Sequence, residues 1–444
     1  MTAAARCRHP ARPGQTGAGS LPVLLLLLLG LLLFLLHSQQ ALIGRTRRVA
    51  LEVRGASAHE AAEAGLAWAV AHLNHPGGLD GNGRAPSEAD LSDPAAALAL
   101  LPARERLLNW PTPAAPLPRH DNAALACVDG EHDWICRWAT SLTVAATPPS
   151  PTGSALAPAD GRPHAGWTLQ LQAGPASGTL TLRVAACSHA SDDCGTDPAG
   201  DDFVPEARRR VSTTLTLLAD VAHLPDAALA AGGLVVLGSG SRVIQGEAGQ
   251  TGASVESGAE IVQATGSSVQ GLPGRPAGDS VQADIAALRN PAARWWHHFH
   301  ATPDLLRSLP SLRHVACPEG GCTGAHLKAA VADGSRVLWV DGSLQLDGGR
   351  WGSAERPLLL IVDGATRLRG PVEADGWLIT ASLDWQADAL DAARARWLGA
   401  ISSWGEARLD GSLDLVHRPS TLARLRGAVG TWTVLPGSWR DHGP

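Results

Sequence analysis

The chain has 444 residues, 45% hydrophobic and 18% charged, with a formal net charge of −6. Beyond its N-terminal segment, about 370 residues remain for one or two globular domains, enough for a sizeable core. The only conspicuous charge clusters are short arginine groups such as Arg208 to Arg210, which excludes a nucleic-acid surface.

Leu21 to Leu36 contains no charged or amide side chain, and no Lys, Arg, Asp or Glu lies between Arg12 and Arg45. Each leucine near the centre of such a segment favours insertion by roughly 0.5 kcal/mol, so membrane lipid is an expected partner. Leu21 to Ile43 as a helix measures about 35 Å, enough to cross a hydrocarbon layer of about 30 Å. Arg6, Arg8 and Arg12 precede it and Arg45, Arg47 and Arg48 follow it, so flanking charge does not orient the chain. A secretory signal needs a shorter apolar core and a small-x-small cleavage site. "HSQQALIG" fits that badly, with Gln39 at the minus-three position for a cut after Ala41.

The helical pattern continues through "RTRRVALEVRGASAHEAAEAGLAWAVAHLN", Arg45 to Asn74. Leu66, Val70 and Leu73 fall on one face, with Glu52, Glu60 and Glu63 supplying polar surface. One helix of about 55 residues and roughly 80 Å fits Ser20 to Asn74, with Gly44 and Gly55 as its weak points.

Two stretches, "QTGAGSLPVLLLLLLGLLLFLL" and "ASAHEAAEAGLAWAVAHLN", together resemble the PilX-like minor pilins of type IV pilus systems, which carry a prepilin-type leader. The resemblance covers about 60 residues. It implies a basic leader (1–19) cut by prepilin peptidase after Gly17 or Gly19, and a retained helix (20–74). Within that helix Leu21, Pro22 and Leu36 lie in the membrane, and Leu66, Val70 and Leu73 serve assembly with other pilin and minor pilin subunits. Major pilins carry a Glu at the fifth mature position, where this chain has Pro22 or Leu24. That departure suits a minor subunit, and an uncleaved bitopic anchor remains the alternative.

Cys7 lies in the leader, and the other six cysteines fall into close pairs: Cys127 with Cys136, Cys187 with Cys194, Cys317 with Cys322. An even set in local pairs points to disulfides in an oxidising compartment, although six cysteines permit fifteen connectivities. This places the bulk of the chain outside the cytoplasm, in the periplasm or an extracellular filament, on a single-pass inner-membrane helix. Zinc held by "CPEGGC" with His298 and His300 is the weaker alternative, because Cys-x4-Cys is a poor zinc spacing. No metal site and no cofactor is expected.

Residues 75–122 read as a Pro/Gly-rich linker with a short helix at Ala95 to Leu108. Residues 123–222 carry alternating runs such as "WTLQLQ", "GTLTLRVAAC" and "RRVSTTLTLLA", which predict an antiparallel sheet. In 223–444, "DGSLQLDG", "DGATRLRG" and "GEARLDG" repeat a short strand closed by glycine, the first two starting at Asp341 and Asp363 and the third lying about two such periods on. That pattern predicts a β-solenoid-like region, with an irregular sandwich as the alternative. A helical insertion broken by Pro291, Pro303 and Pro310 interrupts it. The expected class is therefore α+β: a long N-terminal transmembrane and amphipathic helix followed by a β-rich head.

Asp341, Asp347, Asp363, Asp375 and Asp410 recur near the glycines and are expected as turn residues. There is no nucleophile elbow, P-loop, dinucleotide fingerprint or HExxH, and His297, His298 and His300 lack a nucleophile or a paired base. Trp377, Trp385, Trp397, Trp404, Trp432 and Trp439 are expected mainly in the core, with interface or glycan stacking as the alternative. No catalytic residue is assigned. The sequence therefore predicts a non-enzymatic minor-pilin-like subunit that helps assemble, prime or cap a filament. The rival is a bitopic, membrane-anchored β-helix protein acting as an adhesin or polysaccharide-active enzyme.

Overall fold

The computed structural model describes residues 20–77, 104, 108–109, 117–118, 125–130, 133–137, 164–176, 178–188, 207–247, 253–272, 277–387 and 394–442. It divides into two compact units, Met1–Ala56 and Ser57–Pro444, and the helix Ser20–Leu73 contributes to both. Pro22 sits in the first turn of that helix, where a missing N–H leaves no bond unmade. Neither Gly44 nor Gly55 interrupts the helix. The helix expected at Ala95 to Leu108 lies largely outside the described residues, and Leu108–Asn109 is a short strand.

In the second unit, antiparallel strands run in the order Thr431–Val434, Arg208–Leu218, Thr179–Cys187, Gly166–Ala173, Leu125–Gly130 and Asp133–Arg137. Alternation along the strands puts Trp167, Leu169, Leu171, Leu182, Val184 and Leu215 into one core with the end of the helix. The two last strands correct the sequence reading, which assigned everything from 223 onward to the solenoid. Thr431–Val434 and Arg440–His442 both return to pair with Arg208–Leu218.

Between Leu229 and His417 the chain forms a parallel sheet curled into coils. One coil contributes Leu229–Ala231, Val235–Leu237 and Ser241–Gln245. The next repeats these three strands in constant register, with Leu229 opposite Val255, Val235 opposite Ile261 and Arg242 opposite Ser268. Further along, the spacing from Asp341 to Asp363 is the register of the coils there: Val337 opposes Leu359 and Leu344 opposes Thr366. Glycines mark corners where successive coils touch. A Cβ on Gly376 (φ +142°) would fall 1.9 Å from the Leu358 carbonyl oxygen, and one on Gly399 (φ +137°) 2.0 Å from that of Gly376.

The coils are not stacked in chain order. Ile401, Ala407 and Leu413 pair with Leu229, Val235 and Ser241, which belong to the first coil in sequence. The solenoid therefore begins at Arg313–Ala316 and winds down to His417. It continues without a break into the coils that come first in sequence, ending at Val281–Gln282. The helix Gly324–Ala332 sends Leu327 and Ala330 into the core near the starting coil, as a terminal cap on such a stack must.

The segment joining Gln282 to Arg313 carries the helices Pro291–Phe299 and Pro303–Arg307. Pro291 and Pro303, expected to break this insertion, instead start its helices, with Asn290 and Thr302 as side-chain caps. The crossover covers one face of the solenoid. Leu338, Val340, Leu360, Val362 and Leu378 point into the coils, while Val337, Trp339, Leu359, Ile361 and Trp377 pack outward against Trp295, Phe299 and Leu306. A strand buried on both sides reads as a continuous apolar run, as "PLLLIVDG" does.

Candidate functional site

Every large apolar side chain between Leu21 and Leu36 is exposed, from 47% at Leu36 to 71% at Phe34. It is the one helix among the described residues long and apolar enough to cross a membrane. Leaving a leucine in water forfeits about 1.5–3 kcal/mol of burial, so this surface is one that gains from apolar surroundings. Two hydroxyls that follow bond back to the helix: that of Ser38 donates to the Leu35 carbonyl (2.9 Å) and that of Thr46 to the Ile43 carbonyl (3.0 Å). Such internal bonds suit a medium without water. Gly17 and Gly19, the expected processing positions, lie outside the described residues.

The other end of the helix is docked through small residues. Ala61, Ala62, Ala69 and Leu73 are buried against the sheet, and Ala58 is buried as well. Leu66 and Val70 are partly buried at the margin of the same core. Of the face expected to serve assembly, Leu73 has no exposed surface and belongs to the chain's own core, whereas Leu66 and Val70 keep part of their surface exposed. The approach is closest at Gly65, where a Cβ would fall 2.8 Å from Val184 Cγ1 and 2.9 Å from Trp167 Cδ2. Gly65→Leu should therefore destabilise the head by about 1–3 kcal/mol through overpacking, despite the better helix propensity of leucine. Urea denaturation followed by tryptophan fluorescence measures that loss.

Past Leu73 the helix is tied to the C-terminal segment. The Asn74 amide donates to the Trp432 carbonyl (2.8 Å) and accepts from the Trp432 N–H (2.7 Å). Arg104 Nε donates to the Leu73 carbonyl (2.8 Å), and its two Nη atoms donate to the carbonyls of Gly427 and Gly430 (both 2.6 Å). A guanidinium at the C-terminal carbonyl of a helix also complements its dipole. Neither residue was singled out from sequence, because an isolated Asn or Arg has no local pattern that marks it as buried.

A second built feature lies where the last coil in sequence meets the first. Arg294, on the crossover helix, donates from Nη1 to the Ser403 carbonyl (2.7 Å) and from Nη2 to the Ala230 carbonyl (3.2 Å). Ser402 pairs with Ala230 and Ser403 with Ala231, so this fork spans the seam between strands distant in sequence. The guanidinium lies 4.4 Å from the Trp404 ring centroid. Burial lowers its pKa to about 10, with Glu256 acting in the opposite direction.

The remaining sequence-predicted residues scatter. Cys317 and Cys322 form a disulfide, which removes both thiolates that zinc coordination would have used. Cys127 and Cys187 are disulfide-bonded too, and Cys136 stands directly opposite Cys127 in the antiparallel pair. Cys194 lies outside the described residues. Among the described residues no group of three or more His, Cys, Asp or Glu side chains is placed to hold a metal. Trp377, Trp385, Trp397 and Trp432 are at most 1% exposed. Trp404 is partly buried and Trp439 exposed, so glycan stacking on these rings is limited to the margins. Asp341 binds Arg307 (2.6 Å), and Asp363 accepts from Trp339 Nε1 (3.0 Å). These two aspartates fasten the crossover and the outer Trp rather than serving only as turn residues.

No family model matches the chain, and no curated protein matches it. Among solved structures it is similar to the competence-associated pilin ComZ from Thermus thermophilus, at 12% identity over 88% of this chain and 97% of that one. The TM-score of 0.23 is too low for either fold or function to be inferred from the likeness.

Proposed function

We propose that this protein is a non-enzymatic, minor-pilin-like subunit, held in the inner membrane by its leucine helix and later docked among other pilin helices in a type IV pilus-like filament. The observation that carries this reading is one unbroken helix with two different surfaces. Between Leu21 and Leu36 it exposes only apolar side chains, and near its end it is fixed through alanines and Gly65 to the chain's own sheet.

In this reading prepilin peptidase removes the basic leader after Gly17 or Gly19, and the head lies in the periplasm or on the filament surface. Cys127 with Cys136 and Cys187 with Cys194 add to the Cys317–Cys322 disulfide. Pro22 or Leu24 in place of an acidic fifth residue fits a subunit that primes or caps rather than repeats. Replacing both glycines, Gly17→Val with Gly19→Val, is expected to leave a full-length precursor in the membrane on immunoblots. A product of normal mature length from this double variant would contradict the proposed processing and favour a plain anchor.

A further inference from the structure

The linker 219–224, which leaves the antiparallel sheet for the first solenoid strand, packs Val221 into one core with Trp295 and Phe299 of the crossover helix Pro291–Phe299, holds buried Asp220 through the Gly427 N–H (2.7 Å), and meets the last turn of that helix through histidines. The Ala222 N–H (2.7 Å) and His223 N–H (3.3 Å) donate to the His298 carbonyl. His223 Nδ1 donates to the His297 carbonyl (2.7 Å), and His298 Nδ1 donates in return to the His223 carbonyl (2.8 Å). A helix end whose last carbonyls would otherwise face solvent is thus capped by the linker.

The rings are arranged to resist a second charge. Those of His223 and His297 stack with centroids 4.5 Å apart and planes 11° from parallel, and His300 stands edge-on to His223 at 5.6 Å. His298 is 8% exposed, between the Trp377 ring (4.9 Å) and Phe299. The charged groups around them are Arg294 on the same helix, Asp226 beyond the linker, and Glu256 on the strand Val255–Ser257 facing Arg294.

We propose that the linker 219–224 and the helix Pro291–Phe299 form an acid-released latch, opened when protonation of His297 and His298 breaks the histidine contact between sheet and solenoid. Burial lowers the pKa of His298 to about 4, with Arg294 and His297 adding to the effect and the bond to His223 opposing it. Burial, His223 and His300 lower that of His297, against Asp226. A histidine held below its ordinary 6.5 is neutral when the latch is closed, so closure is favoured at neutral pH and weakens as pH falls from 6.5 towards 4. For His298 alone, going from pH 7.5 to 4.5 raises the opening equilibrium on the order of 70-fold. The ring of His223, stacked on His297 with centroids 4.5 Å apart, acts on His297 in the same direction.

Hydrogen exchange of the full chain in detergent micelles tests this, with rates corrected for the intrinsic effect of pH. Protection at 219–224 and 291–300 should fall on the order of 70-fold between pH 7.5 and 4.5 while Trp377–Thr380 in the solenoid changes less than threefold. His297→Phe keeps a stacking ring that cannot titrate, and His298→Asn keeps a donor near the Nδ1 position. The double variant should lose less than fivefold over that range, and His298→Asn alone should already remove most of the fall. Unchanged protection in the unmodified protein would overturn the latch. So would a loss shared equally by the solenoid, or a fall in His298→Asn as large as in the unmodified protein.

Discussion

Arg294→Ala is expected to destabilise the solenoid by about 3–5 kcal/mol. The Ser403 and Ala230 carbonyls lose their charged donor inside the seam, and Trp404 loses its cation. The cost is high because nothing local rejoins the two strands. Ser402 and Ala230 meet only after the chain has left the first coils, crossed to the far end and wound back. Arg294→Lys retains the charge but not the two-pronged geometry and should recover less than half of the loss. Chemical denaturation of the detergent-solubilised chain, read by tryptophan fluorescence, gives both values. A loss below about 1 kcal/mol for Arg294→Ala would mean that strand pairing alone closes the seam.

The second large effect concerns the leucine segment. Fourteen apolar side chains lie between Leu21 and Leu36, and at about 0.5 kcal/mol each they favour insertion by roughly 7 kcal/mol. Three aspartates at Leu24, Leu28 and Leu32 remove three of these contributions and add about 2.5–3.5 kcal/mol apiece, which reverses the sign. The triple variant should leave the alkaline-carbonate-resistant membrane fraction, whereas three alanines at the same positions should not. Retention of the aspartate variant in that fraction would show that the head, not the helix, holds the protein at the membrane.

Features with a local period were legible in the sequence. The N-terminal helix followed from an uninterrupted apolar run and a helix-forming continuation, and the coil register from the glycine-closed strands that start at Asp341 and Asp363. The docking stripe was missed for a physical reason. Hydrophobic periodicity selects the largest side chains, Leu66, Val70 and Leu73, whereas close packing on a sheet is made by the smallest, Ala62, Gly65 and Ala69. The permuted order of the coils, the return of Thr431–Val434 to the sheet and the seam at Arg294 depend on partners far away in the chain. No short-range pattern encodes such contacts. Histidines 223 and 298 were illegible as a pair for the same reason, although "WWHHFH" attracted attention by itself.

In the proposed function the N-terminal segment is both cut and kept: a basic leader removed, a leucine helix retained. Intact-mass analysis of the membrane-extracted protein tests it most directly. The expected mass is that of a chain lacking residues 1–17 or 1–19, with a methyl group on its new N-terminal amine and residues from Leu21 onward present. A full-length chain beginning at Met1, or one shortened past Leu36, would contradict it.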